Sequence, residues 1–201
     1  MKTYQREFSD VDAPRAHPWT DTVANSGSRY HDFKARPELV RTAIEDFTPW
    51  GGREAVETFY RLLEWLNARD GVFESNDCEF TGPHDNPEPA IRKAQECSGR
   101  VMILYRNLLF NLSRVRVERI ESAMHRHLAE IDPEFAWGAV GTTLMRTQYL
   151  ALPVPKKEQM GYQLMLSFWA WGDTVEETMA HLDRVFVNLS RALRETAAEL
   201  A

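Results

Sequence analysis

The apolar positions of the chain fall into blocks with different periods. Leu39, Val40, Ala43, Ile44 and Phe47 recur at helical spacing after Pro37, a favoured first-turn residue. They predict a first helix, stopped by Thr48-Pro-Trp-Gly-Gly52. Val56, Phe59, Tyr60, Leu63 and Leu66 predict a second, stronger helix over about 53–68, with Gly71 as its terminating glycine. The period then shortens. Residues 72–80 read as a strand, and the breaker-rich stretch 81–89 ends it. A short helix is expected over 89–97, closed by Gly99. Val101-Met-Ile-Leu-Tyr105 is apolar at consecutive positions, the mark of a strand covered on both faces. Asn111 or Ser113 can cap the next helix, whose stripe is Val117, Ile120, Met124, Leu128 and Ile131. Two long strands follow, over about 135–152 and 161–171, joined by a loop that holds Pro153, Pro155, Lys156 and Lys157. In the last helix Thr174 and Glu177 have capping-box spacing, and Val175, Met179, Leu182, Phe186, Leu189 and Leu193 form one seam.

This order predicts an α+β fold: a mixed, mainly antiparallel sheet of about four strands with helices packed on it, preceded by two N-terminal helices. Residues 1–36 carry Pro14, Pro18, Gly27 and many polar residues without a sustained period. They read as an irregular N-terminal arm, with Trp19, Tyr30 or Phe33 as pins, and residues 37–201 read as a single α+β domain.

Alternation adds a packing requirement. In the last strand Tyr162, Leu164, Leu166, Phe168 and Ala170 face one way, and Met165, Trp169 and Trp171 the other. Both sides are largely apolar, and a fully buried large aromatic side chain is worth roughly 2–3 kcal/mol. Both faces therefore need a cover. The helices after residue 88 account for one face, and the two N-terminal helices, or a second copy in a homodimer, for the other. The tetrapeptide Asn-Leu-Ser-Arg occurs at 111–114 and 188–191, once opening a helix and once deep inside one, so it marks no internal repeat.

Composition narrows the function classes. The 201 residues suffice for one core, and 43% hydrophobic with 27% charged residues is ordinary for a folded domain, which argues against wholesale disorder. Lys plus Arg number 24 against 30 Asp plus Glu, a net charge of -6 that disfavours duplex nucleic acid or an anionic membrane as partner. The opening MKTYQREFSDVD has no apolar run, and the apolar runs elsewhere are too short to cross a bilayer, so a cytoplasmic setting is expected. Two cysteines make no disulfide framework and suit a reducing compartment.

The densest polar constellation is Glu74-Ser-Asn-Asp-Cys-Glu79, with His84 and Asp85 just beyond. Cys78 becomes a nucleophile if His84 approaches it across a turn; otherwise it is a packed, inert thiol beside a solvated Asp77 and Glu79. Cys78, His84, Asp85 and Cys97 match no metal-ligand spacing, and His125 and His127 diverge by roughly 200° on a helix. No metal and no cofactor are expected. Between Ser98 and Val117 stand Arg100, Arg106, Arg114 and Arg116 with no acidic residue. Arg106 and Arg146 fall within or at the end of apolar strand runs, where a guanidinium needs a partner. They form a pocket for a carboxylate or phosphate, or they pair internally with Asp77, Glu79 or a helix end. Trp137, Tyr149, Trp169 and Trp171 serve a ligand pocket, an interface or the core. No glycine-rich phosphate loop, Gly-x-Ser-x-Gly elbow, His-Glu-x-x-His or Cys-x-x-Cys is present. The favoured reading is a non-catalytic binding protein that engages a partner protein through an acidic and aromatic surface, an inhibitor or immunity-type protein being one example. The alternative is a small-molecule enzyme or binder. There Arg106 and Arg146 hold an anionic ligand beside Asp77, Cys78 or His84, with Trp169 and Trp171 at the pocket.

Overall fold

The run Val101 to Tyr105 is buried on both sides, as its unbroken apolar pattern requires. It lies in β4 (Gln95–Tyr105), an inner strand of the sheet. The computed structural model describes residues 1–5, 15–19 and 30–200. In chain order the other strands are β1 (Lys2–Gln5), β2 (Arg15–His17), β3 (Phe73–Asp85), β5 (Gly138–Tyr149) and β6 (Met160–Gly172). Three α-helices accompany them: α1 (Glu54–Leu66), α2 (Arg114–Ile131) and α3 (Val175–Leu200). The spatial order is β1-β5-β6-β4-β3, and β2 also pairs with β5. The pairs β3–β4, β4–β6 and β5–β6 are antiparallel, whereas β1 and β2 run parallel to β5.

The mainly antiparallel α+β sheet is therefore present with six strands among the described residues, not about four. The two additions, β1 and β2, come from the N-terminal arm. They are four and three residues long and bond to β5 through backbone groups, which needs no side-chain period. Residues 6–14 and 20–29 of that arm lie outside the described residues.

Two N-terminal helices were expected and one α-helix forms there, α1. Residues of the first expected helix make two short 3-10 segments, Pro37–Arg41 and Glu45–Trp50, the second with Pro49 inside it. Such tight turns need no long run of helical hydrogen bonds, yet Val40 and Phe47 are still fully buried. The short helix expected over 89–97 is absent, since β4 begins at Gln95. The Asn86 amide instead donates to the carbonyls of Glu88, Ile91 and Lys93 and holds that stretch as a loop. At the start of α3 half of the expected capping box forms, and the Glu177 carboxylate reaches one residue further back than the box requires. The Glu177 N–H donates to Thr174 Oγ1 at 3.2 Å, and the Glu177 carboxylate accepts the Asp173 N–H at 2.6 Å.

All three helices lie on one face of the sheet, with α3 between α1 and α2 and above β6. Phe59 of α1 meets Phe186 of α3 at 4.8 Å between ring centroids, and Phe168 of β6 at 5.9 Å. Val101, Ile103, Leu164, Leu166 and Phe168 supply the sheet side of this core. Because α1 shares that face, the N-terminal helices do not cover the opposite one. The arm does so in part, through residues 15–19 and Lys34, which bond to β3 side chains on that face. Among the described residues no helix is long and apolar enough to cross a membrane.

Candidate functional site

Glu74 of β3 stands opposite Leu104 of β4, on the face away from the helices, and is 1% exposed. A carboxylate so deep must be paired. Its Oε1 lies 2.7 Å from His17 Nε2 of β2, and its Oε2 accepts from Lys34 Nζ at 2.7 Å. A register shift between Ser75 and Asp77 makes Asn76 a bulge residue. The Asn76 amide donates to the Ala16 carbonyl at 3.0 Å and to Gln163 Oε1 at 2.9 Å, while its oxygen accepts the Trp19 N–H at 3.0 Å. Asp77 follows, 3.4 Å from Arg15 and 3.5 Å from Arg100, and Arg100 also pairs with Glu79. Arg15 stacks on Trp19, 4.4 Å from its ring centroid. Consecutive polar residues of β3 thus hold the arm on the sheet.

The titration behaviour follows from these contacts. Burial is the largest influence on Glu74 and pushes its carboxyl upward, but the His17 and Lys34 partners together outweigh it and leave it below its ordinary range. At Asp77 burial wins over Arg100 and Arg15, and the carboxyl is raised. Tyr30 is pushed up to about 12, first by burial and then by Asp32 and Glu74. His17 Nδ1, His17 Nε2 and Glu74 Oε1 are all buried without an aligned hydrogen bond among the described residues, so the 2.7 Å approach of Nε2 to Oε1 is a close polar contact rather than a well-directed hydrogen bond.

The residues singled out in the sequence do not converge. Cys78 stands opposite the fully buried Val101 and packs on the helix-side core, where burial pushes its thiol up to about 12. His84 stands opposite Glu96, on the other face, with Nδ1 2.8 Å from the Gly82 carbonyl and Nε2 3.7 Å from Glu96. Their partners Val101 and Glu96 are five residues apart on β4, about 17 Å along the strand at 3.3–3.4 Å per residue. The Cys78–His84 couple is therefore not formed, and Asp77, opposite Met102, is further still from His84. Cys97 is fully buried, with its thiol likewise pushed up to about 12 by burial.

Arg106 is a helix-end anchor. Its guanidinium donates to the carbonyls of Leu66 at the end of α1, of Ala68 and Gly71 in the turn that follows, and of Phe73 at the start of β3. Arg146 is exposed on β5 opposite Tyr162, with β6 between its strand and β4. The two arginines do not face a common ligand. Trp171 is 4% exposed and donates its indole N–H to Glu96 at 2.8 Å, and Trp169 lies half-buried beside Gly141 on the arm side of the sheet. Among the described residues no group of three or more His, Cys, Asp or Glu side chains is placed to hold a metal ion.

Sequence reasoning passed over a second region, at the end of the sheet where β4 and β5 finish. Leu108–Leu112 forms a 3-10 turn there, anchored by the fully buried Asn111, whose amide bonds to both the N–H and the carbonyl of Tyr105 at 2.8 Å. The turn presses on β6 so closely that a Cβ on Gly161 would lie 2.5 Å from the Asn111 carbonyl oxygen. Leu108 and Leu112 point inward, onto Leu104, Tyr149 and Leu152. Leu109 and Phe110 are 58% and 37% exposed, Val115 in the first turn of α2 is 60% exposed, and Leu150, just past the end of β5, is 44% exposed. Arg114, Arg116 and Arg119 are exposed beside them, and the Arg116 guanidinium lies 4.1 Å from the Phe110 ring centroid. The signal was available: Leu108-Leu-Phe110 and Val115 fall in the acid-free stretch between Ser98 and Val117.

No protein-family model matches the chain, and no curated protein or solved structure is significantly similar to it.

Proposed function

We propose that the protein is a non-catalytic binding protein that docks an acidic partner protein on the end of the sheet formed by Leu109, Phe110 and Val115. One observation carries this reading. Leu109, Phe110 and Val115 are three of the seven exposed large hydrophobic residues among those described, and they share the stretch 109–116 with the exposed Arg114 and Arg116 on a chain of net charge -6. Clustered exposed apolar side chains mark interaction sites, and a cationic surround selects and steers an acidic partner. The contact surface in this reading is basic and apolar rather than acidic. Two free cysteines that form no bridge suit a reducing compartment, which supports a cytoplasmic setting.

The test compares the wild type with the Leu109→Asp, Val115→Asp double variant as baits in the native host, with sedimentation velocity on each. A stoichiometric partner held by the wild type and lost by the variant supports the reading, and the partner should be acidic at its contact. A wild type that stays monomeric at high concentration and captures nothing the variant does not would overturn it. A concentration-dependent dimer abolished in the variant would overturn it in favour of homodimerisation through this end.

A further inference from the structure

A separate surface lies on the helix layer. Between α1 and α3 runs a groove of about 490 Å³, open to solvent and lined by Thr58, Arg61, Leu62, Val187, Arg191 and Arg194, among others. Leu62 is buried in its floor, and Val187 is left 49% exposed at its side. Valine at that position is not needed by the core, which takes Val185, Phe186 and Leu189 of the same helix instead. Three guanidinium groups surround the floor against one lining carboxylate, Glu195, which is engaged by Arg191 at 2.9 Å and His127 at 3.2 Å. Arg194 lies 4.7 Å above the Trp65 ring, and Arg61 donates to Thr58 and Glu54.

We infer that this groove receives an amphipathic helix of a partner protein, with apolar residues seated on Leu62 and Val187 and carboxylates on the flanks meeting Arg61, Arg191 and Arg194. The shape favours a helix. From Val187 to Arg194 the groove follows α3 for seven residues, about 10 Å at 1.5 Å per residue, the length over which a helix presents two turns of one face. A site that opens along its length does not enclose a small molecule, whose pockets bury most of the ligand surface. Charge selects the sign of the flanks. It also argues against a second copy of this chain related by a two-fold axis through the groove, which would bring arginine against arginine. The groove is distinct from the Leu109–Val115 end, so either surface can fail without the other.

The probe is a fluorescein-labelled synthetic amphipathic helix with leucines on one face and glutamates on both flanks, and its control carries lysines at the flanking positions. Binding is read by fluorescence anisotropy on the full chain. The wild type should bind the glutamate probe in a salt-sensitive manner and the lysine control at least about tenfold more weakly. Arg191→Glu with Arg194→Glu should weaken the glutamate probe by at least about tenfold, as should Val187→Asp alone, with circular dichroism unchanged in both. Binding should also alter Trp65 fluorescence as Arg194 turns to the ligand, a change absent in Trp65→Phe. The Leu109→Asp, Val115→Asp variant should bind the probe as the wild type does. No binding by the wild type, equal affinity for the charge-reversed variant, or equal affinity for both probes would each overturn the inference.

Discussion

His17 and Glu74 meet across 57 residues of chain, the imidazole Nε2 2.7 Å from the carboxylate Oε1, both side chains nearly sealed from solvent. An unpaired charge at that depth is costly, and Lys34, from its partly exposed position, takes the remaining carboxylate oxygen. The contact turns a stretch with no helical or strand period into part of the fold. It also fixes where the arm lies.

Removing the shared carboxylate should therefore loosen the arm and destabilise the whole. Glu74→Ala strands His17 and Lys34 and is expected to cost about 3–5 kcal/mol at neutral pH, whereas Lys34→Ala, at a partly exposed site, should cost about 1 kcal/mol or less. Thermal unfolding checks both. The sign with pH follows from Glu74 being held below its ordinary value near 4.5. A depressed carboxyl contributes stability that is complete above the unfolded value and is lost as pH falls through the folded one. The gap in melting temperature between wild type and Glu74→Ala should therefore be widest near neutrality and narrow below about pH 4.5.

The thiols should be slow. With Cys78 and Cys97 both pushed up to about 12, their thiolate fraction at pH 8 falls about three orders of magnitude below that of a free cysteine. A chromogenic disulfide reagent should label neither in the native state on the timescale that labels both in urea. Rapid labelling of Cys78 in the folded protein would revive its candidacy as a nucleophile.

Arg106 should prove structural. Four carbonyls depend on its planar fork, and an ammonium group satisfies that geometry poorly. Arg106→Ala is expected to cost about 2–3 kcal/mol and Arg106→Lys about half of that, by urea unfolding. Neither should change partner capture by the Leu109–Val115 end. A loss of capture at unchanged stability would return Arg106 to the list of ligand-binding residues.

These residues show what the sequence made legible. The periodic elements α1, α2, α3, β5 and β6 were readable because each buries one or two whole faces, and burial leaves a period in the chain. The two apolar sides of β6 were readable for the same reason, and so was the need to cover both. What covered the second face was not. β1 and β2 are placed by backbone pairing to β5 and by single polar contacts such as Arg15–Asp77, which write no pattern into neighbouring residues. The candidate chemistry failed on the same ground. Cys78 and His84 are close in sequence, but a second register shift between Thr81 and His84 and an extended strand carry them apart and onto opposite faces. The exposed apolar residues at the sheet end were in plain view, but exposure cannot be told from burial in a run such as Leu108-Leu-Phe110 until the turn is formed.

The last prediction concerns a second buried polar group, in the helix-side core. Thr142 of β5 is fully buried; its hydroxyl donates to Glu121 Oε1 at 2.6 Å and lies 2.7 Å from His125 Nε2. A hydroxyl has one proton, and Glu121 receives it, so the His125 ring must donate its Nε2–H to the Thr142 oxygen. Burial lowers the His125 pKa below its ordinary 6.5, against the pull of Glu121. A lowered histidine contributes stability above its unfolded value that is lost as pH falls, because the unfolded chain takes the proton first. Stability should thus decline below about pH 6.5, and His125→Leu should flatten that part of the profile. Thr142→Val, which keeps the shape and removes the hydroxyl, should cost about 2–3 kcal/mol, and Thr142→Ser should recover most of it. Nitrogen chemical shifts of the imidazole at pH 7.5 report the tautomer directly. A ring protonated on Nδ1 alone would contradict the donor order.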